Sequence, residues 1–241
     1  MLEKLLLRFE DNYNFVFVFL STFFLSLVIG FFTVFTFNHP YVLIGLSSLA
    51  LSYPVVSHLL REEEEVSKVK GFRNSLIFLR KEVFLYLIIF FGLAAGFFVL
   101  FLTGLVRNVE VYSGFVGDLG GSFLASDLFF GIWTNNLLVG ALTFTLSLLF
   151  FSGFLFVLAW NASILSYYFS VAIGDRFVTF IAIFPHLFFE LSGFIFAGLA
   201  GNMLMYGVQY DKNKAKFVKL CLFFLVLAFL SISLGAFLEI L

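Results

Sequence analysis

An all-α bundle of six to seven membrane segments, preceded by a helix lying on the membrane surface, is the fold this chain predicts, and three observations predict it. Hydrophobic residues make up 62% of the 241 residues and charged residues only 12%, against roughly 25% charged in a soluble domain. The apolar residues fall in runs of about 20 or more, the length a helix needs to cross the hydrocarbon core. These runs are continuous rather than alternating, which disfavours barrel strands. A lipid-embedded chain must also satisfy every backbone group internally, and helices do so.

The elements follow in order. Met1–Asn14 reads as an interfacial amphipathic helix, with Leu2, Leu5, Leu6 and Phe9 on one face. Residues 15–241 read as a single transmembrane domain. Phe15–Phe37 is its first span, too long for a signal peptide and without a small-x-small cleavage site. Asn38-His39-Pro40 makes a turn into Tyr41–Leu60, since proline restricts the residue before it. Arg61–Glu82 is the most polar segment, and its Glu-to-Lys spacing fits a solvated surface helix. Val83–Val106 is the next span, followed by the Gly- and Ser-rich stretch Arg107–Asp127. Phe130–Val171 and Phe177–Val208 are apolar but longer than one crossing each, and Phe217–Leu238 closes the series after a basic loop at Gln209–Lys216. A break near Ser152-Gly153 would divide the first of these long regions into two segments. A re-entrant segment around Asn161–Phe184 is the alternative.

Charge sets the topology. With the N-terminus and Arg61–Glu82 placed in the cytoplasm, three crossings between Phe130 and Val208 put twelve Lys and Arg inside and two outside. Two crossings would give nine against five. The positive-inside rule favours the first, hence seven segments in the cell membrane. The net charge of −1 argues against nucleic acid as a partner. Cys221 is alone, so neither an intramolecular disulfide nor a cysteine-based metal site can form.

Within 131–207 a few residues resist their apolar setting. Asn135, Asn136 and Asn161 are there, and His186 and Glu190 lie at i and i+4 on one helix face. Gly193, Ala197 and Gly201 continue that face with small residues, the pattern that lets a neighbouring backbone approach closely in lipid. Asn136, Gly140, Thr143 and Ser147 form a second polar and small stripe, and the two stripes are expected to meet, with Asn161 nearby. Ionisable residues at membrane depth mark candidate functional sites. Here His186 and Glu190 can bind a divalent cation, relay protons, or simply satisfy one another and fix helix register. No H-E-x-x-H and no G-x-S-x-G sequence occurs, so hydrolase chemistry has no motif to rest on.

The same residues carry a resemblance. Ile132-Trp133-Thr134-Asn135-Asn136, then Gly140, Gly153 and Asn161, then His186-Leu187-Phe188-Phe189-Glu190-Leu191, then Ala197-Gly198-Leu199-Ala200-Gly201 resembles the stage II sporulation protein M family over about residues 130–207. Two positions depart from the family's pattern: Ala162 and Leu187 stand where it usually has glycine. The resemblance implies a multi-pass membrane protein. The sporulation member is a scaffold for cell-wall hydrolases, and relatives extend to organisms that do not sporulate, archaea among them. The expectation is a non-enzymatic membrane protein that assembles with itself, as a dimer for example, or with other membrane proteins, around a buried Asn/His/Glu core. The alternatives are a transporter or channel passing an ion, proton or small solute by His186 and Glu190, and an intramembrane metal-dependent enzyme.

Overall fold

The computed structural model describes residues 15–36, 42–51, 71–104, 125–151, 153–172, 177–209 and 214–240, with Val55, Glu64, Val66, Lys68 and Val69 as separate positions. The expectations for Met1–Asn14, the Asn38–Pro40 turn, Asp175-Arg176 and most of Arg107–Asp127 and of the Lys212 loop lie outside these residues. Among the described residues there are seven helices and no strand: α1 (Phe15–Thr36), α2 (Val42–Leu51), α3 (Phe72–Leu102), α4 (Ala125–Phe150), α5 (Phe154–Ala172), α6 (Phe177–Gln209) and α7 (Lys214–Glu239). Five are long and apolar enough to cross a membrane, namely α1, α3, α4, α6 and α7. Val42–Leu51 and Phe154–Ser170 are apolar but shorter. The structure thus gives five such helices plus two short ones where six to seven segments were expected.

Apolar side chains leave the backbone no competitor for its own hydrogen bonds, and several hydroxyl residues are tied back into their own helices. Thr22 Oγ1 donates to Val18 O at 2.9 Å, Thr143 Oγ1 to Val139 O at 2.7 Å, and Ser192 Oγ to Phe188 O at 2.7 Å. The division of Phe130–Val171 falls beside the expected Ser152-Gly153 break. Phe151 there has φ 53°, the left-handed region that ends a helix, and its N–H donates to Ser147 O. Gly104, at φ 65°, caps α3 in the same way. One expectation needs correcting. The solvated segment does not run to Glu82: α3 begins at Phe72, and Glu82 is buried inside the bundle. The Glu64–Lys68 ion pair at 3.0 Å does sit on an exposed surface.

Close contacts fix the direction of every helix but α2. Gly92 and Gly96 of α3 face Thr22 and Ser26 of α1, so these two helices run parallel. An added Cβ at Gly96 would lie 1.7 Å from Ser26 Oγ and 2.8 Å from Phe23 O, nearer than side-chain atoms pack. In α5, Ser166 Oγ donates to Ala94 O at 2.7 Å, and Phe154 and Tyr167 pack their rings on Tyr86 and Phe101, so α5 is parallel to α3. Phe72 at the start of α3 meets Phe223 of α7, and Lys216 Nζ donates to Val66 O and, at 2.7 Å, to Val69 O. Gly207 meets Phe217, Gly193 meets Ala228 and Ile232, and Gly235 meets Glu190, so α6 and α7 are antiparallel. Gly201 faces Phe144 and Ser147, and earlier on both helices Asn136 meets Glu190, so α4 is parallel to α6. α1, α3, α5 and α7 therefore lead away from one end of the bundle, marked by Lys214, Lys216 and Lys219, while α4 and α6 lead toward it. Those lysines make it the basic end.

Candidate functional site

The polar residues gather at the opposite end, where α4, α6 and α7 meet. Pro185 lacks an N–H, so the turn of α6 that presents His186 forgoes one helical hydrogen bond. Glu190 follows one turn later. Gly235 brings the backbone of α7 against this turn: a Cβ there would lie 2.6 Å from Glu190 Cγ and 3.1 Å from His186 O. One turn beyond Gly235 on α7 is Glu239. Its carboxylate joins the other two, and ligand atoms of His186, Glu190 and Glu239 all lie within 4.8 Å of one another. All three side chains are partly accessible.

Asn136 of α4 completes the group by donating its Nδ2–H to Glu190 Oε1. That bond orients the carboxylate and leaves its second oxygen for another partner. Asn135 is exposed and donates to Asn136 Oδ1 at 3.4 Å. Trp133 Nε1 donates to Ser233 Oγ at 2.9 Å, tying α4 to α7 beside the cluster. Two carboxylates this close repel by about 3.5 kcal/mol or more at an effective dielectric of about 20. A cation, a proton or the imidazolium of His186 would relieve it. Ligand atoms no more than 4.8 Å apart lie within a small side-chain shift of sharing one ion, because two metal–ligand bonds of about 2.0–2.6 Å together reach about 4.0–5.2 Å.

The structure distributes the other expected residues more widely. Asn161 Nδ2 donates to Val157 O of its own helix at 2.8 Å. The small stripe on α6 serves two neighbours rather than one: Gly193 is covered by α7, and Gly201 by α4, while Ala197 is buried too. Gly140 faces Ile232 of α7, where an added Cβ would be 2.8 Å from Ile232 Cδ1. Two residues escaped the sequence reading. Glu239 ends the last apolar run and looks like a chain-end charge until α7 folds back on α6. Asn202 is fully buried with neither amide atom hydrogen-bonded. It is the one amide or charged residue between Glu190 and Gln209, and that isolation was the available signal.

The family model of stage II sporulation protein M matches residues 85–239. The chain belongs to that family. The match to stage II sporulation protein M exceeds the 130–207 stretch that carried the resemblance and takes in Glu239 with His186 and Glu190. Together with the long apolar helices, it makes this a transmembrane protein. No curated protein and no solved structure matches the chain.

Proposed function

We propose that this protein is a multi-pass membrane protein that binds a divalent cation through His186, Glu190 and Glu239. The observation that carries the reading is the convergence of these three ligand groups, from two helices, within 4.8 Å of one another. An imidazole with two carboxylates suits Mn2+ or Zn2+, and Asn136 acts as the outer-shell partner that holds Glu190. The bundle would use seven segments. In support, the contacts of Lys216 with Val66 and Val69 bring the start of α7 to the same end as the approach to α3, as three crossings between Phe130 and Val208 require. At 19 residues, α5 is about 28 Å long, close to the hydrocarbon thickness. The positive-inside rule then places the basic end in the cytoplasm and the cluster at the outer face of the cell membrane.

Purified protein in detergent tests the site directly. Mn2+ should bind one site per chain by electron paramagnetic resonance, and Glu190→Gln and Glu239→Gln should each abolish it. The exposed Glu64→Gln should not. Asn136→Leu should weaken binding by about 10–100-fold, the usual cost of losing an outer-shell partner. Binding that survives in both glutamine variants would sink the reading.

A second reading has its own observation. Asn136 and Asn161 already have partners inside the chain, which fits a polar core that fixes helix register in a scaffold for other membrane proteins or a second copy of itself. If Mn2+ fails to bind while Glu190→Ala lowers detergent stability, that role stands.

A further inference from the structure

The two parallel helix pairs, α1–α3 and α4–α6, are built from the same pieces. Thr22-Phe23-Phe24-Leu25-Ser26-Leu27 of α1 and Thr143-Phe144-Thr145-Leu146-Ser147-Leu148 of α4 agree at five of six positions. Thr22, Ser26, Thr143 and Ser147 are all buried. In both copies the threonine donates to the carbonyl of a valine one turn earlier, Val18 or Val139. The partner helices repeat as well. Gly96 of α3 is set against Phe23 O and Ser26, and Gly201 of α6 against Phe144 O and Ser147. One turn before each glycine comes another small residue, Gly92 or Ala197. The recurring sequence thus makes the same contact with the corresponding helix in both pairs.

The two copies point opposite ways, because α1 and α3 lead away from the basic end while α4 and α6 lead toward it. Inverted repeats of this kind build many secondary transporters, whose halves exchange access between the two membrane faces. Polar groups also lie along the second copy, deeper than the cluster. Asn202 is about 18 Å further along α6 than Glu190, toward the basic end. Its amide and, on α4, the hydroxyl of Ser147 are both buried without hydrogen-bond partners. Buried polar groups are normally satisfied, so unpaired ones in a packed core call for a water, an ion or a function.

We infer that the chain is an inverted-repeat carrier for the divalent cation, which enters at His186, Glu190 and Glu239 and passes Asn202 and Ser147 toward the basic end. The inference rests on the cation reading above and adds transport to it. In proteoliposomes, Mn2+ uptake should be saturable, lost in Glu190→Gln, and reduced at least tenfold in Asn202→Leu. Leucine removes an unpaired amide, so a purely structural Asn202 would leave uptake unchanged and raise thermal stability; Asn202→Ala, with less bulk, repeats the test should leucine fail to fold. Unchanged uptake in both folded variants, or no uptake above empty liposomes by protein that binds Mn2+, overturns the carrier and leaves the cation site standing. Wild-type protein that does not bind Mn2+ sinks the cation reading first. Inversion is checked separately in Cys221→Ser protein, where Thr103→Cys and Lys214→Cys should label from opposite faces. Labelling from one face overturns it.

Discussion

Glu190 shows how much chemistry rests on single atoms here. Its carboxylate receives Asn136, shares ligand distance with His186 and Glu239, and has the α7 backbone at Gly235 pressed against its side chain. Gly235→Ala should therefore damage the site without removing a ligand. The new methyl would lie 2.6 Å from Glu190 Cγ, so the glutamate or α7 must shift. We expect weaker Mn2+ binding and a loss of about 1–3 kcal/mol from overpacking, read as a lower melting temperature in detergent. Binding should also weaken as pH falls, because imidazole and carboxylates must shed protons to hold a metal. A titration of Mn2+ affinity from neutral to acidic pH checks the sign. The spacing of His186 and Glu190 was legible in the sequence because one helix contains both. Glu239 was not, because its approach depends on how closely α7 packs on α6.

At the scale of the helices, backbone proximity decides which glycines matter. At Gly96 and Gly201 a Cβ would fall 2.8 Å and 2.5 Å from carbonyl oxygens of α1 and α4, atoms that cannot rotate away. Gly131 has nothing within 4 Å of such a Cβ. Gly96→Ala and Gly201→Ala should each lower the melting temperature, whereas Gly131→Ala should hold or raise it, by up to about 1 kcal/mol of helix propensity. Equal effects at all three would contradict the packing described. Sequence patterning could not rank them. In α7 the residues turned inward (Phe217, Cys221, Phe224, Ala228, Ile232) and those turned outward (Leu222, Val226, Leu230, Leu234) are equally apolar. Lipid and protein core make the same demand on a side chain, so hydropathy marks the helix but not its faces.

Across the whole molecule, the start of α7 meets the approach to α3. Lys216 Nζ caps the carbonyls of Val66 and Val69 and so joins the start of α7 to the approach to α3. Lys216→Met keeps the stem and removes the donors; hydrogen bonds to charged groups are worth about 1.5–3 kcal/mol. We expect a loss of that order and faster proteolysis between the second and third helices. Unchanged stability and protease sensitivity would show that the contact does not hold the bundle together.

The sequence alone determined that the chain lives in a membrane, that it is helical, and that His186 and Glu190 share a face. These follow from local composition and from the helical period, which need no knowledge of neighbours. Tertiary structure alone decided that Glu239 completes the cluster, that Asn161 bonds within its own helix, and that one small stripe on α6 serves both α4 and α7. It also decided that two copies of one helix pair run in opposite directions. Each of these depends on which helix lies beside which, and in an apolar solvent that choice is made by shape and close contact rather than by hydrophobic pattern.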